Sequence, residues 1–230
     1  MKSALDRYQN VMTRIREATT RAGREPESVR LLAVSKKQSA DLIRRFHGLG
    51  QSEFGENRAQ EAIAKQARLQ DLNITWHFIG PIQSNKVRDL ALRFDWIQSV
   101  DREKIIRLLE KHRPPELPPI NVCLQVNMEG EAQKSGVAAN AVPELAALVA
   151  GSPRLRLRGL MAIPRQSDDP SSTRDTFRRI GMLYEDLKTA GHDLDTLSIG
   201  MSADLELAIE AGSTMVRVGT DLMGARPLDA

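Results

Sequence analysis

Cysteine is almost missing from this chain. Cys123 is the single one in 230 residues, so an internal disulfide framework is excluded and a reducing compartment is expected. Aromatic side chains are scarce, with two Trp, two Tyr and five Phe. Lys and Arg form no long block, and the net charge is only +3. A basic surface interleaved with stacking aromatics is therefore lacking, and nucleic-acid binding finds no support. No Cys/His cluster has metal-ligand spacing, so no metal is expected. There is no Walker loop and no G-x-G-x-x-G. Gly200-Met201-Ser202-Ala203 does not match the G-x-S-x-G nucleophile elbow. No apolar run is long enough to span a membrane, and no charged segment precedes an apolar one at the N-terminus. A cytoplasmic protein without membrane contact is expected.

What is present is ordinary for a globular protein with a sizeable core: 41% hydrophobic and 27% charged residues. Ser3 can cap a first helix in which Leu5, Tyr8, Val11, Met12 and Ile15 recur at helical spacing. Gly23 and Pro26 end it. Short apolar runs then alternate with helical patterns. The strands read as Leu31 to Lys36, Ser52 to Phe54, Ile74 to Ile79, Asp95 to Gln98, Ile120 to Val126, Leu157 to Ile163, Leu197 to Ile199 and Met215 to Val218. Helices are predicted from Ser84, from Asp101 to Lys111, from Ala141 to Val149 and from Ser202 to Ala211. Eight strands alternating with helices predict parallel βαβ units, and in this length they favour a (β/α)8 barrel over an open sheet. The Pro-rich stretch from Pro114 to Pro119 is too short and too central to divide the chain. Residues 1–230 are expected to form a single TIM-barrel domain with an extra N-terminal helix.

In such a barrel, functional residues lie at the C-terminal ends of strands, and phosphate commonly binds the loops after strands seven and eight. Leu31-Leu32-Ala33-Val34-Ser35 leads straight into Lys36 and Lys37. Alternation along a strand puts Leu32, Val34 and Lys36 on one face and Ser35 and Lys37 on the other. One lysine can thus be aimed at a site, and a partly desolvated amine there could attack a carbonyl. From this stretch alone, solvated strand-end charges are the plainer reading. Gly200-Met201-Ser202 follows strand seven and is expected to open a helix, whose free N–H groups attract anions. Gly219 and Thr220 close strand eight, where backbone and hydroxyl can meet a phosphate. Arg217 on strand eight reads equally as a salt-bridged strand end or as a guanidinium facing the barrel mouth. Opposite a pyridine nitrogen it would disfavour a protonated ring, because Arg stays charged. Asn57, His77, Ser84 to Lys86, Asn127 and Lys134 also lie near strand ends, and a lone His or Asn is more often a satisfied structural group.

Together these stretches resemble a known family. Ala33-Val34-Ser35-Lys36, Phe54-Gly55-Glu56-Asn57, His77 through Lys86 (HFIGPIQSNK), Lys134-Ser135-Gly136, Arg158-Gly159-Leu160-Met161, Gly200-Met201-Ser202 and Val216 through Thr220 (VRVGT) occur in the order seen in the pyridoxal phosphate homeostasis proteins (the YggS/PROSC family), related to the N-terminal barrel of alanine racemase. The resemblance implies a fold-type III barrel that carries and buffers pyridoxal 5′-phosphate (PLP). By that pattern Lys36 carries PLP as an aldimine, Asn57 lies by its ring, Arg217 faces its nitrogen, and Ser202, Gly219 and Thr220 hold its phosphate. Lys37 stands where the family often has Thr, and Ile199 where Met is common. Asp221-Leu222-Met223 replaces a more usual Ala-Ile-Phe, a change expected to loosen packing behind the phosphate loop. The family implies PLP itself, apo-enzymes that use PLP, and free amino acids as partners. A monomer is expected.

About ten residues follow strand eight, so the second β domain of a racemase is expected to be absent and turnover slight, with no catalytic residue assigned. Two enzymatic readings compete. A weak PLP-dependent amino-acid racemase would need a second acid/base group opposite Lys36, which the sequence does not identify. A Schiff-base aldolase or phosphosugar isomerase would need Lys36 free of cofactor and a carboxylate pair at the mouth.

Overall fold

The computed structural model describes residues 3–130, 135–164 and 169–225. Helix α1 (Ala4–Arg21) opens with the Ser3 cap, completed as a capping box by Asp6. The chain then runs β1 (Arg30–Val34), α2 (Ala40–Gly48), β2 (Glu53–Glu56), α3 (Ala59–Arg68) and β3 (Thr75–Phe78). A 3₁₀ turn at Ser84–Lys86 leads into α4 (Val87–Arg93), β4 (Trp96–Val100), α5 (Glu103–His112) and β5 (Ile120–Asn127). There follow β6 (Val137–Ala138), α6 (Val142–Ala150), β7 (Leu155–Ala162), α7 (Pro170–Thr189), β8 (Thr196–Met201), α8 (Leu205–Glu210), β9 (Met215–Val218) and α9 (Thr220–Met223). The order β4-β3-β2-β1-β9-β8-β7-β5 closes through a β4–β5 pairing, and every pairing is parallel. This is the expected (β/α)8 barrel. The two-residue β6 was not expected; it pairs with the end of β5 through Val126 and Asn127. The predicted eighth strand is β9.

Closure seals the strands on both faces, which is why they read as apolar runs. All five residues of β4 are buried. The outer faces pack under the helices, with Phe46, Phe94 and Phe177 among the largest sealed side chains. The inner face is different. Trp96, Cys123 and Met161 form their own apolar cluster there, beside buried polar groups that include His77, Gln98, Ser198 and Arg217. Trp96 stacks on His77 with ring centres 5.0 Å apart. The Arg30 and Arg158 guanidiniums also lie against its ring, at 5.1 and 4.7 Å. Burial pushes the Cys123 thiol up to about 12, so it stays protonated and unreactive.

His77 follows a strict accounting. Gln98 Oε1 accepts from Ser198 Oγ at 2.7 Å, which turns the Gln98 amide so that Nε2 donates to His77 Nδ1 at 3.0 Å. The ring is neutral with its proton on Nε2, which faces Glu53 Oε2 at 3.9 Å. Desolvation first, then the nearby Arg30 charge, holds the imidazole well below its ordinary pKa.

This predicts a pH dependence. In the unfolded chain the imidazole gains a proton as pH falls through about 6.5. In the folded chain it does not. The unfolded state then binds more protons, so stability falls with falling pH, by up to about 1.4 kcal/mol per pH unit from this group. Between about pH 7 and pH 5, the urea midpoint of the wild-type protein is expected to fall more steeply than that of His77→Gln. Equal slopes would mean that the folded imidazole titrates in the same window.

Candidate functional site

The first strand ends two residues earlier than its sequence suggests. β1 stops at Val34, and Lys36 lies in a turn closed by the Gln38 N–H on Ser35 O at 3.0 Å. Strand alternation therefore does not aim Lys36. The turn does: Lys37 takes a left-handed conformation at φ 61°, unusual for a side-chain-bearing residue. Lys36 nonetheless shares a small cavity with Val34, Gln38, Gly219, Thr220, Met223 and Gly224. The ends of β1 and β9 thus bring together Lys36, Gly219 and Thr220, three of the residues singled out in the sequence.

Gly219 is the N-cap of α9. A Cβ built there would come no closer than 3.7 Å to the protein, against Val34. Packing alone therefore does not demand glycine at this position, which lines the Lys36 cavity. Gly200 has another role. A Cβ there would lie 2.4 Å from Ala208 Cβ, so glycine lets β8 pack tightly against α8.

Ser202 does not open a helix. β8 continues to Met201, and residues 202–204 form a turn before α8 begins at Leu205. Asp204 holds this turn by accepting from the Met201 N–H at 2.6 Å. Ser202 is linked to the α9 side of the mouth through Arg14. That side chain donates to Ser202 O at 2.8 Å, to Asp221 Oδ2 at 2.9 Å and to both Glu206 carboxylate oxygens. Arg7 adds a bond to Leu222 O at 2.7 Å. The Asp221-Leu222-Met223 segment is consequently well packed rather than loosened: Leu222 and Met223 are buried, and Asp221 is ion-paired with Arg14.

Arg217 is sealed inside the barrel at 4% exposure. Its NH1 donates to Ser198 O at 2.5 Å and Ser198 Oγ at 2.9 Å, and NH2 donates to Ala162 O at 2.8 Å. Among the described residues no carboxylate pairs with it, so it is not a salt-bridged strand end. Burial lowers its pKa to about 10, which leaves it charged near neutral pH. The guanidinium rests on neutral acceptors at the C-terminal ends of β7 and the inner side of β8.

Asn57 lies elsewhere on the rim. It follows β2 and is half-buried. It lines a cleft of about 650 Å³ with Arg58, Phe78, Gln83 and Lys86, and is not among the residues of the Lys36 cavity. His77 points into the barrel interior, away from the rim. Lys134 lies outside the described residues. Two groups of side chains escaped sequence reasoning. Arg14 lies 207 positions from Asp221, so no local pattern reveals the pair. Buried Lys65 and Glu56 and the partly exposed Glu61 form a cluster under Ser35; only the i,i+4 spacing of Glu61 and Lys65 hints at it. No group of three or more His, Cys, Asp or Glu among the described residues could hold a metal, and no described helix is long and apolar enough to cross a membrane.

Comparison with known proteins shows the family and the fold. Residues 7–227 match the family model of the alanine racemase N-terminal domain. The chain is 52% identical over 230 residues to the pyridoxal phosphate homeostasis protein of Pseudomonas aeruginosa, covering 100% of this chain and 99% of that protein. It is similar to the structure of PipY from Synechococcus elongatus with PLP bound, at 37% identity and a TM-score of 0.78 over 92% of this chain and 99% of that one. An alanine racemase of Clostridium difficile shares the fold, at 16% identity and a TM-score of 0.75, and the match spans 98% of this chain and 58% of that enzyme.

The Arg14 clasp gives a testable outcome. Arg14→Ala removes bonds to a backbone carbonyl and two carboxylates, and is expected to cost about 1–3 kcal/mol in urea unfolding. Asp221→Ala removes only one half-exposed ion pair and should cost less than about 1 kcal/mol. Equal costs for the two variants would show that the Ser202 and Glu206 contacts contribute nothing.

Proposed function

The chain belongs to the pyridoxal phosphate homeostasis protein family, and from that premise we propose that it binds PLP reversibly through Lys36, carrying and buffering the cofactor without substantial turnover. The observation that carries this reading is Arg217, a buried guanidinium with neutral hydrogen-bond partners and no carboxylate among the described residues. The meeting of Lys36, Gly219 and Thr220 in one cavity supports it. These residues fit the group. PLP supplies an aldehyde with which a neutral lysine amine condenses, the amine nitrogen replacing the carbonyl oxygen, which leaves as water. Lys36 provides that amine. Gly219 and Thr220, which share the Lys36 cavity, would hold the phosphate together with Ser202; Asn57, which the family pattern sets by the ring, lines a separate cleft here. Arg217 would face the ring nitrogen, and because it presents only N–H donors it could not accept a proton carried there. The same reading takes residues 1–230 as one PLP-binding barrel acting as a cytoplasmic monomer, exchanging PLP with apo-enzymes and free amino acids.

Borohydride reduction of PLP-saturated protein, followed by peptide mass mapping, is expected to place the adduct on Lys36. An adduct on Lys37, or none, overturns the assignment. Hydrogen bonds to a charged phosphate are worth about 1.5–3 kcal/mol each. The double change Ser202→Ala and Thr220→Ala should therefore weaken PLP retention strongly while leaving Lys36 reactive; unchanged retention would locate the phosphate elsewhere.

Turnover is the second test. In deuterated buffer, α-proton exchange of L- and D-amino acids is expected to fall well below the ordinary enzyme range of about 1–10³ s⁻¹. Rates within that range would refute the carrier reading in favour of a racemase. Arg217→Glu supplies an acceptor in place of donors, and at equal PLP occupancy any residual exchange should rise. An unchanged rate would mean that Arg217 does not limit the chemistry.

A further inference from the structure

Lys65 is the least expected ionisable group in the molecule. It lies on α3, 7% exposed, and sends its ammonium under the turn that carries Lys36. Its three donors are fully used: Nζ donates to Ser35 O at 2.8 Å, Glu56 Oε1 at 2.7 Å and Glu61 Oε1 at 2.6 Å. Ser35 Oγ also donates to Glu56 Oε1, at 2.6 Å. Glu61 Oε1 in turn accepts the backbone N–H of Lys37, at 2.5 Å.

The placement of these contacts matters more than their number. Ser35 O belongs to the peptide group before Lys36, and the Lys37 N–H belongs to the peptide group after it. The cluster grips both. Two fixed peptide planes leave the Lys36 backbone little freedom. The grip also offsets the left-handed conformation of Lys37, which is unfavourable for a residue with a side chain. Burial raises the pKa of Glu56, with the Lys65 charge pulling the other way. For Glu61, burial alone would raise it, but the hydrogen bonds from Lys65 and the Lys37 amide outweigh this and hold it below its ordinary value. Nothing in the cluster touches the cavity of Lys36, Gly219 and Thr220, so it acts through the backbone.

We propose that Lys65, Glu56 and Glu61 are positioning residues that present Lys36, and not its neighbour Lys37, to the cofactor aldehyde. This inference rests on the proposed PLP-binding function. The step it controls is condensation of the Lys36 amine with the aldehyde: a C=N bond forms, the C=O bond breaks, and the oxygen leaves as water with the two amine protons. Adjacent lysines have the same intrinsic reactivity. Selection between them must come from the backbone, and the cluster is what fixes that backbone.

The test uses full-length protein freed of PLP and then mixed with PLP, with the rate of attachment followed by absorbance. Borohydride trapping and peptide mapping then give the partition between Lys36 and Lys37. Glu61 is partly exposed, so Glu61→Ala is the first variant; Lys65→Met, which keeps most of the unbranched chain and removes the charge, is the second. Thermal unfolding confirms that each is folded. Wild-type protein is expected to label on Lys36 alone. Glu61→Ala and Lys65→Met should attach PLP about ten- to a hundred-fold more slowly, comparable to the effect of about one charge-assisted hydrogen bond, with adduct appearing on Lys37. Glu61→Gln keeps an oxygen for the Lys37 N–H and should recover Lys36 selectivity. A merely stabilising cluster would lower the unfolding temperature and leave the partition untouched. Wild-type rate and exclusive Lys36 labelling in a folded Glu61→Ala or Lys65→Met protein would overturn the positioning role while the binding function stands. Labelling of wild-type protein away from Lys36 would overturn both.

Discussion

A cation sealed in the barrel, ion-paired with no carboxylate among the described residues and feeling Asp204 only at a distance, constrains much of what surrounds it. Arg217 can be buried only where neutral acceptors meet it, and the acceptors are Ser198 O, Ser198 Oγ and Ala162 O. Ser198 Oγ accepts from Arg217, so its own proton goes to Gln98 Oε1. That turns the Gln98 amide so that Nε2 reaches His77, and the tautomer of a histidine on the far side of the barrel is thereby set. One charge on β9 fixes the orientation of three side chains across to β3. Loss of any link would leave a buried polar group unpaired, which costs more than the bond itself contributes.

The rim is held from outside in two places. Helix α1 reaches over the turn after β8 and the start of α9 through Arg14 and Arg7. Helix α3 reaches under the turn after β1 through Lys65 and Glu61. The two helices act on the two walls of the Lys36 cavity, which are the β1 turn and the Gly219–Thr220 segment. Short loops fastened on both sides give the site little conformational freedom to lose when a ligand arrives, and affinity benefits from such preorganisation. The extra N-terminal helix has its place in this arrangement: it packs on α8 and α9 and carries the arginines that tie their loops together.

The barrel was legible in the sequence because its signal is local and repeated. Eight apolar runs, each followed by a helical pattern, leave few other topologies. The Ser3 cap and the strand Met215–Val218 were legible for the same reason. The misses share a cause. β1 ends at Val34 because the Ser35 carbonyl and the Lys37 amide are claimed by side chains of α3, and no periodicity within the strand records that. α8 starts late because Asp204 folds back on the Met201 amide. Arg217 read evenly as ion-paired or free because its surroundings come from β7 and β8. The identities of Lys36, Gly219 and Thr220 could be taken from motif order, but their meeting in one cavity depends on closure of the barrel between β1 and β9.

A site that holds a reactive aldehyde and releases it intact needs an amine, an anion cradle and a shortage of available bases. The third requirement explains the positions of the remaining titratable groups. His77, the natural general base of the interior, is sealed, held neutral and engaged with Gln98. Cys123 is buried with its thiol protonated. Glu56 and Glu61 are committed to Lys65 and the Lys36 turn, and Glu53 to Arg30. Each of these groups has a structural partner or is shut away from the rim, and the interior cation nearest the mouth can donate protons in hydrogen bonds but accept none. In the proposed reading the barrel keeps the binding half of cofactor chemistry and commits its acids and bases to holding the binding residues in place.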